Sequence, residues 1–496
     1  MSTAPREHTA IRCRSVQISV ASVLLISLRM SSIYAYSDVT LTPVLENSSV
    51  ERGTSNLVGT NSCAAGSCHG GARLSEGRSF AAYRIWIQKG PHSMAYEVLN
   101  NERSNRMMTL LHATESGSPP HATKEARCLN CHVTTEVSDA LDVQPAPHAM
   151  ADGVGCESCH GPARKWIGLH TTGEWRGFSA ETKKSFGFVD TTADLTGRIQ
   201  LCVQCHVGGP GRDVSHDLIA AGHPRLNFEF SAFHANLPKH WNVHSQQAVD
   251  IKDVESDPAF EAKAWLTGQL LTAQASLRLL EQRTEELQSW PELSEYSCFS
   301  CHHDLKDDSW YRSEHRSKRK PLGRLSWGTW NYSTLPALTP DAEFKQQFES
   351  LKELLEGSFA KREEVRKQAR SLDQVLDKVI RHQSNRDYSL RGLDQLALQM
   401  LKGVRRENIP YQSWDQTAQL YLATVAISLA REKSASGDLR NMSIRTDLEQ
   451  IRKELLFEEN EDSPREYSEH RIETILSRLS RIQETLATAN PDARRP

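Results

Sequence analysis

Wherever the apolar positions of this chain follow a period it is the helical one, and the strict alternation of half-buried strands is nearly absent. The first apolar stretch, Val16 to Leu28, follows Arg6, Arg12 and Arg14, stops at Arg29 and runs into small residues around Ala35. That pattern predicts a secretory signal peptide over residues 1–35. The run falls short of the roughly 18 apolar residues a membrane-spanning helix needs, so an uncleaved anchor is the lesser reading. A long helix is expected from Asp257 and Pro258, with Leu266, Leu270, Ala273, Leu277, Leu280 and Leu287 along it and Pro291 ending it. Beyond Thr339 and Pro340 helical stripes dominate. Phe344, Phe348, Leu351 and Leu355 open one helix running toward Ile380, and Ser413 precedes another through Leu420, Leu422, Val425, Ile427 and Leu429. Ser463 and Pro464 start a third, bearing Ile472, Ile475, Leu479, Ile482 and Leu486. The region before Asp257 reads as Gly-, Pro- and Ser-containing loop with short helical stretches and no repeat.

Composition changes this picture in one respect. Only 38 % of the 496 residues are hydrophobic, so something other than aliphatic side chains can fill part of the interior. The net charge of −3 carries no basic excess of the kind a nucleic-acid-binding domain shows. A basic run from Arg312 through Arg316, Lys318, Arg319 and Lys320 to Arg324 reads first as a solvated linker and second as a docking strip for an acidic group.

The cysteines are the informative residues. There are eleven, and Cys13 leaves with the signal peptide. The other ten form five pairs: Cys63/Cys68, Cys128/Cys131, Cys156/Cys159, Cys202/Cys205 and Cys298/Cys301. A histidine follows each pair directly, at His69, His132, His160, His206 and His302. Four pairs have the C-x-x-C-H spacing, and the first has four residues between its cysteines. C-x-x-C-H is the attachment signal of c-type haem: two thiols bond the porphyrin vinyls and the adjacent imidazole reaches the iron. By chance this composition would give on the order of 0.01 such strings. Zinc would need two pairs per ion and gives no reason for the histidine. The expected cofactors are therefore five covalently attached haems, and no cysteine remains for a structural disulfide.

Seventeen of the twenty histidines lie between residues 69 and 315. With five proximal, twelve remain as candidates for the opposite face of an iron: His92, His112, His121, His148, His170, His216, His223, His234, His240, His244, His303 and His315. Iron held between two imidazoles is suited to electron transfer, whereas an open position can bind a small molecule. His216 and His223 are seven residues apart, and either is a candidate distal ligand of the fourth or fifth haem. His303 points away from the haem of His302 and is a candidate for a neighbouring one.

Two strings carry a resemblance: Gly153-Val-Gly-Cys156-Glu-Ser-Cys159-His160-Gly-Pro-Ala followed by His170, and Cys68-His69 followed by Trp86 and His92-Ser-Met-Ala-Tyr-Glu-Val-Leu. Over roughly residues 60–206 the chain resembles the tetrahaem cytochromes that accept electrons from hydroxylamine oxidoreductase. The resemblance implies His92 and His170 as distal ligands and a five-coordinate second haem at Cys128–His132. The chain departs from that pattern in its wider first motif, a fifth motif and a large C-terminal extension. It also carries His148, eight residues before Cys156, which can cap the second haem; His121 is a weaker candidate for that position.

The expected architecture is a mainly α fold: a multihaem cytochrome c domain with long loops over 36–325, then an α-helical bundle over 326–496. The expected function is electron transfer between redox donor and acceptor proteins by an exported, periplasmic cytochrome with no membrane span in the mature chain. The rival is a multihaem oxidoreductase acting on a small nitrogen or sulfur species at one open haem, and a docking subunit comes third. The C-terminal helices carry no catalytic constellation and offer a surface for oligomerisation or partner binding.

Overall fold

The computed structural model describes residues 56–71, 78–114, 116–135, 150–241, 254–285, 288–302, 324–339, 341–358, 360–383, 386–402, 404, 414–435, 437–457 and 469–489. The signal peptide, His148, His244, His303, His315, Leu287, Pro340, Ser413, Ser463, Pro464 and residues 312–320 of the basic run lie outside them. Among the described residues the chain is α-helix, 3-10 turn and loop, with no strand and two isolated bridges, Gly209–Arg212 and Tyr296–Trp327. The mainly α expectation holds. No helix among them is long and apolar enough to cross a membrane.

The first half carries α1 (Ala82–Lys89), α2 (Glu102–Leu111), α3 (Ala126–His132), α4 (Leu195–His206), α5 (His216–Ala221) and α6 (Phe230–Asn236), joined by loops and short turns. Polar caps set several starts. Asn101 accepts from the Ser104 amide at the head of α2, and Asp194 accepts from Gly197 at the head of α4. The long helix α7 spans Phe260–Arg283, starting and stopping inside the expected limits. The Asp257 carboxylate accepts from the Ala259 amide, so the cap sits just ahead of the first turn. At the other end the Arg366 guanidinium donates to the Thr284 carbonyl, which takes an acceptor the next turn would have used.

The C-terminal half is built from α8 (Ala342–Leu355), α9 (Arg362–His382), α10 (Leu390–Leu401), α11 (Trp414–Ser434), α12 (Leu439–Leu455) and α13 (Glu469–Ala489). The single helix expected from Phe344 toward Ile380 is two helices, α8 and α9, packed on each other. Gly357 follows the end of α8, and Trp290 Nε1 donates to the Ala360 carbonyl at 2.6 Å, holding the chain in the turn. α11 and α13 carry the expected stripes; α10 and α12 are additional.

α7 has two apolar faces. Trp265, Leu266, Leu270, Leu277 and Leu280 join one large core with residues of α8 to α13, while Phe260, Ala264 and Leu271 pack with Ile199 and Val203 of α4 and with Phe230 of α6. Both faces are buried, as in a helix at the centre of a large protein. One core therefore runs across the expected boundary between residues 325 and 326. Further ties cross the same line: Trp330 Nε1 donates to the Phe228 carbonyl at 2.8 Å, and Arg225 pairs with Asp415 at 3.2 Å.

Candidate haem sites

The third motif is organised by the residue after its first cysteine. Glu157 is buried, and its carboxylate accepts from the amides of Val58, Gly59 and Ala163 at 2.7–3.1 Å. Asp152 accepts from Thr60 at 2.9 Å. These bonds stitch the lead-in of the first motif onto the third, and the Cys63 and Cys156 thiols lie beside each other. The second motif is tied to the loop after the fourth: Asn130 Nδ2 donates to the Gly211 carbonyl at 2.9 Å, and Arg212 Nε donates to the Asn130 carbonyl at 2.8 Å. Cys131 and Cys205 lie side by side there, while Cys159 lies near both Cys202 and Cys205. The motifs therefore adjoin in the order first, third, fourth, second. The fifth is approached through the half-buried Arg225, which pairs with Asp415 at 3.2 Å and lies beside Cys298.

The histidines pair across this framework. The His69 and His170 rings have centroids 6.3 Å apart, His160 and His240 6.3 Å, and His92 and His206 6.1 Å. A metal–imidazole bond of about 2.0 Å on each side, with about 1.1 Å from ligating nitrogen to ring centroid, puts two imidazoles on opposite faces of one metal about 6.2 Å apart. Each facing pair joins a proximal histidine to one from elsewhere in the chain, and the spacing fits an iron between them. Burial, with His240 and His69 nearby, pulls His160 down to about 4; burial, with His92, does the same to His206. Both are thereby neutral, the form in which imidazole binds metal.

The ring nitrogens away from these gaps are also placed. His69 Nδ1 bonds the Ser79 carbonyl at 2.7 Å, His132 Nδ1 the Ala95 carbonyl at 2.6 Å, and His170 Nδ1 the Ile167 carbonyl at 2.5 Å. Donation from Nδ1 to a backbone carbonyl fixes the tautomer and leaves Nε2 for a metal, as is usual for metal-bound histidine.

Of the residues expected from sequence, His92 faces His206 of the fourth motif and His170 faces His69 of the first. At the fourth motif the ring beside His206 is that of His92. The His216 amide donates to Glu292 Oε1 at 2.7 Å, which sets it beside the segment leading to Cys298, Cys301 and His302. His223 lies near His132. Burial chiefly, and the His132 and Arg103 side chains after it, lower its pKa, although its bond to the Pro224 carbonyl works the other way. Sequence reasoning did not single out His240. Nothing local marks it, and its ring is aimed by long-range contacts of its neighbours: Lys239 and Trp241 both bond Glu255.

The glycines of the third motif have steric reasons. Gly153 takes a φ of 62°, and a Cβ there would stand 2.7 Å from the His92 carbonyl oxygen. That carbonyl also accepts from Val154 at 3.0 Å, so this turn holds the His92 segment in place. Gly153→Ala is expected to cost about 1–3 kcal/mol through backbone strain and overpacking. Thermal unfolding against wild type measures it, and an unchanged melting temperature contradicts the account.

With helices, loops and paired motifs of this kind, the chain has the makings of a c-type cytochrome. Residues 62–161 match the family described as cytochrome c554 and c-prime. The match spans the first three motifs and supports a c-type cytochrome, with covalently bound haem iron, in electron transfer. No curated protein and no solved structure matches the chain.

Proposed function

We propose that the chain is an exported pentahaem cytochrome that carries electrons between a donor and an acceptor protein. Residues 36–325 hold the haems and residues 326–496 form the helical part, with α7 shared between them. The ten paired cysteines would attach the cofactors, and His69, His132, His160, His206 and His302 would be the proximal ligands. His170, His240 and His92 would close the first, third and fourth sites, and His216 would serve the fifth. Bound haem would supply a one-electron iron couple, and the chain would supply an imidazole on each face of an iron from adjoining motifs. The carrying observation is the set of three imidazole pairs at 6.1–6.3 Å, because iron closed on both faces relays electrons and binds no substrate.

Intact mass after acid–acetone extraction of loose haem is expected to exceed the apoprotein by five haems, and an optical redox titration to be reversible throughout. Four or fewer mass increments contradict the count, and an irreversible step contradicts the relay.

A further inference from the structure

The resemblance implies an open second haem, and the residue expected from sequence to close it, His148, lies outside the described residues. The structure offers another. α5 ends at Gly222, whose φ of 125° turns the chain sharply, and the His223 amide closes the turn on the Leu218 carbonyl at 3.0 Å. Arg103 of α2 donates to the Gly222 carbonyl at 2.7 Å and so ties this turn to α2. The opposite side of α2 joins α3 through the turn at Ala122: Met108, Ala122 and Leu129 share a core, and Leu129 is three residues before His132. α2 and the turn at Ala122 thus link the His223 turn to the helix that ends in His132.

The His223 ring is prepared in the same way as the facing histidines. Its Nδ1 bonds the Pro224 carbonyl at 2.8 Å, leaving Nε2 without that duty. His69, His132 and His170 make the same bond. Arg225, two residues on, is anchored to Asp415 of α11, so the chain is held on both sides of His223. We infer that His223 is the distal ligand of the second haem, closing from α5 the position that the resemblance leaves open. This rests on haem being attached at Cys128 and Cys131.

The assignment makes the second site a relay. It also gives the C-terminal helices an effect on it, since Asp415 holds Arg225 and Arg225 follows the ligand turn.

The test uses the intact, haem-loaded protein. Electron paramagnetic resonance of the oxidised wild type is expected to show low-spin haem only, and the dithionite-reduced protein to bind no carbon monoxide. His223→Ala is expected to convert one haem to high spin and to bind about one carbon monoxide per chain, with added imidazole restoring the low-spin signal. A high-spin haem in wild type overturns the assignment, as does a His223→Ala protein that stays low-spin. Conversion by His148→Ala instead of His223→Ala also overturns it. If His223→Ala does not fold, the wild-type spin state and the His148→Ala spectrum still decide. Haem content by intact mass is measured on every sample. A missing second haem then counts against attachment at Cys128 and Cys131, and the spin states of fully loaded protein speak to His223 alone.

Discussion

A chain ended at residue 325 is expected to lose its cooperative fold, although it keeps every cysteine pair. Five large side chains of α7, Trp265, Leu266, Leu270, Leu277 and Leu280, are at most 1 % exposed and sit in the core they share with α8 to α13. Re-exposing a side chain of this kind costs about 1.5–3 kcal/mol, so the five together forfeit on the order of 10 kcal/mol. That is comparable to the whole stability of a typical domain, about 5–15 kcal/mol. The face of α7 that packs on α4 and α6 would then rest on a helix with no support behind it. Thermal unfolding and limited proteolysis of the truncated and full chains measure the effect. A truncated protein that melts cooperatively near the full-length temperature would show that the haem-bearing half stands alone.

Glu255→Ala is expected to be the most damaging single substitution near a candidate site. The carboxylate is 5 % exposed and accepts from Arg198 at 2.7 Å, Trp241 Nε1 at 2.9 Å and Lys239 at 3.3 Å. Removing it leaves buried Arg198 without its anion, for which about 3–5 kcal/mol is the usual cost. Lys239 and Trp241 flank His240, so Glu255 is a positioning residue for the ring that faces His160. The variant should show a lower melting temperature and a partial loss of low-spin signal from one haem. A purely structural role would move only the first, while Glu255→Gln, which can still accept from Trp241, should restore much of the second. The pH dependence has a definite sign. Burial alone would raise the Glu255 pKa, but its hydrogen bonds with His234 and Arg198 and the charges of His234 and Lys239 hold it well below the ordinary 4.5. Its contribution is therefore complete above pH 4.5 and is lost as the pH falls below that value. The stability gap between wild type and Glu255→Ala should narrow on acidification, and a gap that widens would reject the charge pairing.

The features legible in the sequence are those set by short spacings. Attachment to one porphyrin needs two thiols and an imidazole within a few residues, so the motifs at Cys128, Cys156, Cys202 and Cys298 stand out unaided. The strongest helical stripes were equally readable, because α11 and α13 carry their apolar residues at one recurring interval. α12 escaped notice: Ile444, Leu448, Ile451 and Leu455 keep helical spacing, but they are scattered among charged residues and offer no dense run. The α8–α9 turn was missed because it depends on Trp290, distant in sequence, reaching the Ala360 carbonyl. The facing histidines are the clearest limit. His160 and His240 meet through folding, and what aims His240 is a carboxylate further along the chain. The resemblance selected His92 and His170 from the spare histidines, but it could not supply His240, where the chain extends past the resembling stretch.

The buried hydrogen bond from Gln269 of α7 to Gln419 of α11, at 3.0 Å, closes a loop of 150 residues that contains the fifth motif. Contacts of such long range form late, because the entropy of closing the loop is lost before the core rewards it. Cys298 and Cys301, inside that loop, are exposed in the folded chain, so their thiols stay within reach after α11 has docked. Packing of the helical half therefore leaves that motif open to the outside, even though it completes the largest core of the chain.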